Sequence, residues 1–153
     1  MICLKKVKSI HKKKILISKK YDFGNANLVL AIPDLWIDVQ TLLDLDEVAD
    51  EFKKKKKRLL RIATKYENLT RQFLYSKGVT QFQLVKSRGS TEVAPFTGTA
   101  EIISDITSTG ATLKANNLRI LKDGEILKSQ ACLMQSRLST KKLGIKKIIK
   151  LLS

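Results

Sequence analysis

The segment from Ala26 to Ile32 is almost entirely apolar, has the length of one strand, and is bounded by Gly24 and Pro33. A strand with apolar side chains on both faces has to be covered on both faces. Glycine and proline are the residues that most often mark the ends of such a run. The segment therefore predicts a buried central strand of a sheet.

Further short apolar runs alternate with segments of helical periodicity. Strands are predicted at Lys12–Ser18, Leu59–Thr64, Gln81–Val85 and Glu101–Ile106. Helices are predicted from Asp38 to Lys57, with a break near Leu45, and from Asn68 to Lys77, and a short turn or helix is predicted from Thr91 to Phe96. Strands that alternate with helices indicate an α/β fold with a mostly parallel sheet.

The end of the chain predicts a hairpin and a helix. Apolar residues flank Asp123–Gly124, a dipeptide that favours the tight turn of a β-hairpin because it accepts positive φ angles. From Thr140 to Leu152, apolar residues and lysines follow helical spacing, which predicts an amphipathic helix. Such a helix could lie on a membrane surface, but packing on the sheet is favoured because α/β sheets need helical cover.

The formal net charge of +16 is concentrated in segments without any acid, namely Lys5–Lys20, Lys53–Arg58 and Arg137–Lys150. Basic blocks of this kind attract polyanions without sequence preference. Aromatic residues that could stack on bases are not interleaved with the lysines. Solvated surface is therefore the favoured interpretation, and nucleic-acid binding is the less favoured one.

Neither a metal site nor a membrane segment is expected. Cys3 and Cys132 are far apart in sequence and His11 is the only histidine, so no spacing suggests a zinc site, a redox pair or a cysteine–histidine nucleophile. Cys132 is predicted to be a core residue. No apolar run reaches the roughly 18 residues of a membrane span, and the sequence after Met1 lacks a secretory signal. A cytoplasmic protein is expected.

The segment Thr107–Leu113 joins the predicted strand Glu101–Ile106 to residues that favour a helix. Backbone N–H groups at such a junction, with hydroxyls from Ser108, Thr109 and Thr112, can bind a phosphate group. Gly110 allows the backbone to approach the phosphate closely. A helix capped by hydroxyl residues for purely structural reasons is an equally open interpretation.

Asp105 lies at the carboxyl end of the strand before this loop. A carboxylate accepts hydrogen bonds from sugar hydroxyls but repels phosphate. A ligand with both a phosphate and a ribose diol would therefore satisfy the loop and the acid together.

A wider pattern around the loop is more specific. The stretch Glu92–Leu113 resembles the signature of the ATP phosphoribosyltransferase family, and the resemblance extends over roughly Tyr21 to Gln135. It includes Phe23–Gly24, Leu28–Pro33, Trp36–Val39, Arg61–Tyr66, Asn68–Thr70, Lys114–Asn116 and Ser129–Cys132.

The resemblance implies an enzyme that joins ATP to phosphoribosyl pyrophosphate (PRPP) and releases pyrophosphate, with Mg²⁺ on the pyrophosphate and no covalent nucleophile. No catalytic residue is assigned. By resemblance, Asp105 holds the ribose hydroxyls, and the segment Ser108, Thr109, Gly110, Ala111, Thr112, Leu113 holds the 5-phosphate. Glu92 is expected near the site, and Arg61 and Lys65 are candidate phosphate contacts.

The resemblance also implies a two-lobed fold like that of periplasmic binding proteins, with one largely complete lobe and part of the second. Residues 1–20 are a basic segment that does not match the family, 21–120 carry the PRPP loop, and 121–153 form a hairpin return strand and the terminal helix. The family's amino-terminal lobe has no counterpart here, so a truncated short-form catalytic subunit is expected. Its partners would be a second copy or a histidyl-tRNA-synthetase-like regulatory subunit.

Rival hypotheses remain open. The chain could be an enzyme or enzyme fragment that binds PRPP, an inactive relic whose basic surface binds nucleic acid or nothing specific, or a small-ligand binding module without chemistry. Binding of PRPP separates the first from the second, and product formation separates the first from the third.

Overall fold

A computed structural model describes residues 14–139 and 143–151 of the chain. The described residues form two compact units, one from residue 26 to 128 and a smaller one from 14–25 together with 129–151. The expectations for Cys3 and His11, and for most of the basic segment 1–20, concern residues outside the described part of the chain.

The larger unit is built on a five-stranded sheet in the order β4–β3–β5–β2–β6. Its strands are β2 (Ala26–Pro33), β3 (Leu60–Thr64), β4 (Phe82–Lys86), β5 (Ile102–Thr107) and β6 (Leu118–Ser129). Its helices are α1 (Leu42–Lys56), α2 (Glu67–Ser76) and the short α3 (Ala111–Ala115). Residues 92–98 form turns. The predicted α/β class and the strand positions in this unit are confirmed.

The sheet is mixed, so the expectation of a mostly parallel sheet needs correction. β3 runs parallel to both β4 and β5, whereas β2 runs antiparallel to β5, with Asn27 opposite Thr107 and Ala31 opposite Ile103. Alternation of strands and helices predicts a parallel pair only where a helix crosses over between neighbours, as α2 does between β3 and β4. No such unit joins β2 to β5.

Both faces of β2 are buried, as its sequence predicts. Leu30 and Ile32 belong to a core formed with Ile62, Ile102 and residues of α1 and α2. Val29 and Ala31 face the other way, into a second core that includes Leu113 of α3. The two helices α1 and α2 therefore cover one face of the sheet, and α3 with the segment before β5 covers the other.

Helix α1 begins later than predicted and is continuous. Thr41 caps its amino terminus, and the Thr41 backbone amide donates a hydrogen bond to the Asp44 carboxylate, which completes a capping box. The predicted break near Leu45 is wrong. The Leu45 side chain is fully buried in the core, and this packing holds the helical turn around Leu45 against the sheet. The helix ends at Lys57, which has a positive φ of 54°.

The predicted hairpin at Asp123–Gly124 is also wrong, because both residues lie inside the continuous strand β6. Neither residue has a positive φ. Instead, Leu118, Leu121 and Gly124 are buried at every third position, which departs from the two-residue period of a regular strand and indicates a kink. The Asp123 carboxylate accepts a hydrogen bond from the Leu42 amide, 2.9 Å away, at the start of α1. Gly124 thus lies at the kink of β6, and Asp123 caps the amino terminus of α1.

The smaller unit pairs β1 (Ile15–Lys20) antiparallel with β7 (Cys132–Ser136). A turn of 3₁₀ helix (Arg137–Ser139) and helix α4 (Leu143–Leu151) follow. The described part of the predicted helix Thr140–Leu152 is thus confirmed, while residues 140–142 and 152 lie outside the description. Cys132 is only half-buried, so it is less enclosed than predicted.

Among the described residues, no helix is long and apolar enough to cross a membrane.

The kink in β6 gives a stability prediction. A Cβ at position 124 would lie 2.8 Å from the Leu121 Cβ and 3.2 Å from the Leu30 carbonyl oxygen, both closer than van der Waals contact. Gly124→Ala should therefore lower the free energy of unfolding by about 1–3 kcal/mol, measured by urea denaturation. Gly89→Ala is the control, since a Cβ there meets no atom within 4 Å. Equal stability of the two variants would contradict the close approach.

Candidate functional site

The candidate site lies at the edge of the sheet where β3, β4 and β5 end. Because these strands are parallel, their carboxyl ends share one edge, where α/β sheets commonly bind ligands. Lys65 follows β3, Ser87 follows β4, and the Thr/Ser/Gly loop follows β5.

The loop has the strand, loop and helix arrangement that its sequence predicts. β5 ends at Thr107, residues 108–110 form the loop, and α3 begins at Ala111. Gly110 has a φ of 77°, a conformation that favours glycine, and its amide donates to the Thr107 hydroxyl over 2.8 Å. The Ala111 amide donates to the Thr109 hydroxyl over 3.3 Å. The loop is thus shaped by its own hydroxyl groups, which accept from the backbone and keep their protons for other acceptors.

Leu113 anchors the loop to the protein. Its side chain is buried with Val29, Ile103 and Leu118 in the second core. A ligand can therefore meet Leu113 only through its main chain. Ser108, Thr109 and Thr112 are exposed, so hydroxyl groups face the solvent while the apolar side chain holds α3 against the sheet.

Asp105 lies on the same sheet face as α3. Side chains alternate along a strand, so Ile103, Asp105 and Thr107 point to one face, and Ile103 packs with Leu113 there. Asp105 is half-buried, and its Oδ1 accepts a hydrogen bond from the Ile106 amide over 2.8 Å. One carboxylate oxygen is thus held by the backbone beside the hydroxyl loop.

The structure brings Lys65 to the edge with the loop, and Lys65 is exposed there. Glu92 is half-buried beside Thr91, whose hydroxyl donates to the Ser87 hydroxyl just after β4, so Glu92 also lies near this edge. Arg61 is not brought to the loop. It lies near the amino end of β3, at the opposite edge of the sheet.

At that opposite edge, Arg61 is held by Glu101. Its Nη2 lies 2.6 Å from a Glu101 carboxylate oxygen, and Arg58 contacts the same oxygen at 2.9 Å. Burial alone would raise the pKa of Glu101, but hydrogen bonds from Arg61 and Arg58 outweigh it and hold the pKa at about 2. This cluster joins β3 to the start of β5 and has a structural role.

Sequence reasoning missed a set of buried hydroxyl groups next to the site. The Thr70 hydroxyl lies 2.9 Å from the Ser104 hydroxyl and 3.5 Å from that of Thr64, and all three residues are fully buried. The set joins α2 to β3 and to β5, one residue before Asp105. A serine within the apolar run of β5 is the signal that could have revealed it.

Basic residues at the carboxyl end of β4 were also missed. Lys86 and Arg88 are exposed, and both line a small cavity of about 150 Å³ together with Ser87, Ser90 and Thr99. Their position in the sequence could have revealed them, because they lie at the carboxyl end of a parallel strand, which shares the edge with the loop.

Comparison with known proteins identifies sequence relatives. A family model described as ATP phosphoribosyltransferase matches residues 6–153. The ATP phosphoribosyltransferase of Nitrobacter winogradskyi is 55% identical over 125 residues, which are 82% of this chain and 38% of that protein. The one from Chelativorans sp. is 51% identical over 125 residues, 81% of this chain and 54% of that protein. The chain thus spans about 38% to 54% of the length of these relatives.

Solved structures give the same picture for the fold. The ATP phosphoribosyl transferase (HisG:HisZ) complex from Thermotoga maritima matches with a TM-score of 0.62 at 28% identity, covering 94% of this chain and 61% of that one. A probable amino-acid transporter extracellular-binding protein from Bacillus subtilis matches with a TM-score of 0.58 at 12% identity, covering 95% and 58%. The second likeness concerns the fold alone. The predicted resemblance to periplasmic binding proteins is confirmed.

The Glu101 cluster predicts how stability depends on pH. The pKa of Glu101 is lowered in the folded chain from an ordinary 4.5 to about 2, so its stabilisation is fully present above about pH 4.5 and is lost as the pH falls through about 2. Glu101→Gln should lower the free energy of unfolding by roughly 2 kcal/mol at neutral pH and flatten its dependence between those pH values.

Denaturation at a series of pH values measures this effect. Glu51→Gln is the matched control, because Glu51 pairs with Lys55 on the exposed surface of α1 and should matter little. Identical pH profiles for Glu101→Gln and the unaltered chain would rule out the cluster as the source.

Proposed function

The chain belongs to the ATP phosphoribosyltransferase family, and on that premise we propose that it binds PRPP and ATP for the first step of histidine biosynthesis. In that reaction ATP and PRPP form phosphoribosyl-ATP and pyrophosphate. The observation that carries the proposal is the hydroxyl loop after β5, with Asp105 on the same face of the sheet. We assign residues 21–120 to the PRPP-binding lobe.

The loop supplies what a 5-phosphate needs. Exposed hydroxyls of Ser108, Thr109 and Thr112 can donate to phosphate oxygens, and the positive φ of Gly110 keeps a Cβ out of the way. The main-chain groups of Ala111 and Leu113 complete the same turn. Asp105 then accepts hydrogen bonds from the ribose hydroxyls, since a carboxylate suits a diol and not a phosphate.

The chemistry proposed is a displacement at the ribose carbon. Adenine N1 of ATP forms a bond to that carbon while the bond to the pyrophosphate oxygen breaks, and the pyrophosphate leaves with the bonding electrons. Mg²⁺ would neutralise the leaving group. Mg²⁺ is commonly held by substrate phosphates, so we propose that it arrives bound to the pyrophosphate of PRPP.

Basic residues of the same edge can support this leaving group. Lys65 is exposed just after β3, the neighbour of the strand β5 that carries the loop, and Lys86 and Arg88 are exposed at and after the end of β4, one strand further away. Adjacent strands lie about 5 Å apart, so Lys65 starts about 5 Å from β5 and the β4 residues about 10 Å from it, and long basic side chains at both positions can extend toward an anion bound near β5. Glu92 lies near them, and we assign it to the site without a specific role.

Binding should exceed turnover for this chain by itself. The phosphate loop and Asp105 lie within the described residues, whereas the chain spans only 38% of the Nitrobacter winogradskyi enzyme. Alignment of two substrates can contribute about 7–11 kcal/mol to catalysis. We therefore propose impaired activity, in a cytoplasmic protein that assembles with a histidyl-tRNA-synthetase-like regulatory subunit or with further copies of itself. A similar solved structure is itself a complex of two different proteins.

A second candidate function is weaker binding of polyanions such as nucleic acid by an inactive relic. The exposed basic run Lys53–Arg58 favours it. Part of that run is already used, since Lys54, Lys55 and Arg58 form ion pairs with Asp50, Glu51 and Glu101.

Calorimetric titration with PRPP and Mg²⁺ tests the proposal. We expect saturable binding that weakens by about tenfold or more in Asp105→Ala, because the ribose hydroxyls lose a charged acceptor. Thr112→Val should weaken binding as well. Asp34→Ala and Thr80→Val are matched controls at exposed positions of the larger unit, after β2 and before β4, at the sheet edge opposite the loop. Binding that is equal in all of these variants would place PRPP elsewhere.

An absorbance assay for phosphoribosyl-ATP tests the second part. Turnover near the detection limit is expected for the isolated chain, together with measurable PRPP binding. Turnover at a rate typical of enzymes would contradict impaired catalysis. The absence of any PRPP binding, with retention of a nucleic-acid oligomer on the same chain, would favour the polyanion hypothesis.

A further inference from the structure

An apolar trough lies at the sheet edge opposite the PRPP loop. Two cavities, of about 610 Å³ and 430 Å³, share Pro33, Leu35, Trp36 and Pro95 in their walls and so form one continuous depression. Pro33 ends β2, which runs antiparallel to β5, so the trough and the loop lie at opposite ends of these strands. A six-residue strand such as β5 separates its ends by roughly 20 Å.

The apolar side chains of this trough are unusually exposed. Leu35 is 87% exposed, Ile37 74% and Phe96 60%. Large exposed apolar patches in soluble proteins commonly mark interaction sites. A small ligand would not be enclosed by walls so open to solvent, whereas pockets for small molecules bury most of their ligand. The trough therefore suits a macromolecular partner.

The backbone under these side chains is firmly held. The Arg119 guanidinium donates to the carbonyl oxygens of Trp36 and Val39 over 2.5 Å and 2.6 Å. The Asp34 amide donates to the Asn117 carbonyl, and the Lys122 amide to the Gln40 carbonyl. An apolar surface fixed in this way loses little conformational entropy when a partner binds.

Helix α1 adds positive charge along one wall. Val48, Phe52 and Lys56, spaced by one helical turn, line the trough, and the Lys56 ammonium lies 4.3 Å from the centre of the Phe52 ring. In the described parts of the chain, Lys53, Lys56 and Lys57 form no ion pair, whereas Glu101 in the same wall is neutralised by Arg58 and Arg61. The α1 end of the trough is therefore positive.

The two other acidic side chains that line the trough belong to the segment between β2 and α1, whereas Lys56 lies at the carboxyl end of α1. Asp38 lines the larger cavity and Asp34 the smaller one. The charge distribution along the trough is thus asymmetric, and it prefers a ligand whose negative charge faces α1.

We propose that this trough docks an amphipathic segment of a different protein, whose apolar side chains cover Leu35, Ile37 and Phe96 and whose carboxylates face Lys56. The net charge of +16 on each chain opposes a second copy as the occupant. A flat bilayer surface would not fill a concave trough. The proposal does not depend on PRPP binding, since the two sites lie at opposite edges.

Trp36 reports on occupancy, because it lines the trough and is the single tryptophan of the sequence. The probes are two helix-forming peptides, one with leucine along one face and glutamate along the other, and one with lysine in place of glutamate. We expect a saturable blue shift of Trp36 fluorescence with the glutamate peptide, which should bind about tenfold more tightly than the lysine peptide.

Variants of the trough separate its apolar and charged parts. The double change Leu35→Ser with Ile37→Ser should lower the affinity for the glutamate peptide by about tenfold or more. Leu43→Ser is the control, at a 71% exposed leucine outside the trough, and should leave that affinity unchanged. Lys56→Glu should weaken binding of the glutamate peptide and strengthen binding of the lysine peptide, and Lys77→Glu, at the exposed residue just after α2, is its control. Circular dichroism confirms that each variant folds.

Other results would overturn the proposal. Equal affinity for both peptides, or no fluorescence change with either, rules out an acidic amphipathic segment. Sedimentation that detects self-association of the unaltered chain, lost in the Leu35 and Ile37 double variant, assigns the trough to a second copy. A Trp36 shift with anionic phosphatidylserine vesicles, but with neither peptide, assigns it to a lipid surface.

Discussion

The burial of β5 between β3 and β2 is the constraint on which the rest of this protein depends. β5 pairs in parallel with one neighbour and antiparallel with the other, and apolar groups cover both of its faces. Its register fixes which residues meet at each end. The hydroxyl loop and Asp105 follow from its carboxyl end, while Glu101, just before its amino end, is held by Arg58 and Arg61.

The sequence predicted well what depends on local chemistry. The apolar run of β2, the loop around Gly110 and the helix before Gly78 all form near the predicted residues, because strand length, glycine conformation and helical spacing are properties of neighbours in the chain. Asp105 was placed correctly beside the loop for the same reason. Its role toward ribose stays a proposal.

What the sequence could not give depends on pairing between distant residues. Asp123–Gly124 has the composition of a turn, but Asp123 caps α1 and Gly124 makes room for the backbone of β2, and both partners are remote in sequence. Arg61 had the right charge for a phosphate contact. It lies near the amino end of β3, however, where Glu101 holds it at the sheet edge opposite the loop. The buried contact of Thr70 with Ser104 required knowledge of which face of α2 meets the sheet.

The two edges of the sheet carry different kinds of surface, and each can be studied separately. The loop edge exposes hydroxyls and basic groups, which suit anions, while the opposite edge exposes Leu35, Ile37 and Phe96 on a backbone held by Arg119. Replacing the polar loop residues leaves the core packing unchanged. The trough residues are so exposed that a change to serine creates no buried cavity. Sites roughly 20 Å apart without shared partners change stability additively, so an effect of one set of variants on the other site would indicate coupling through the sheet.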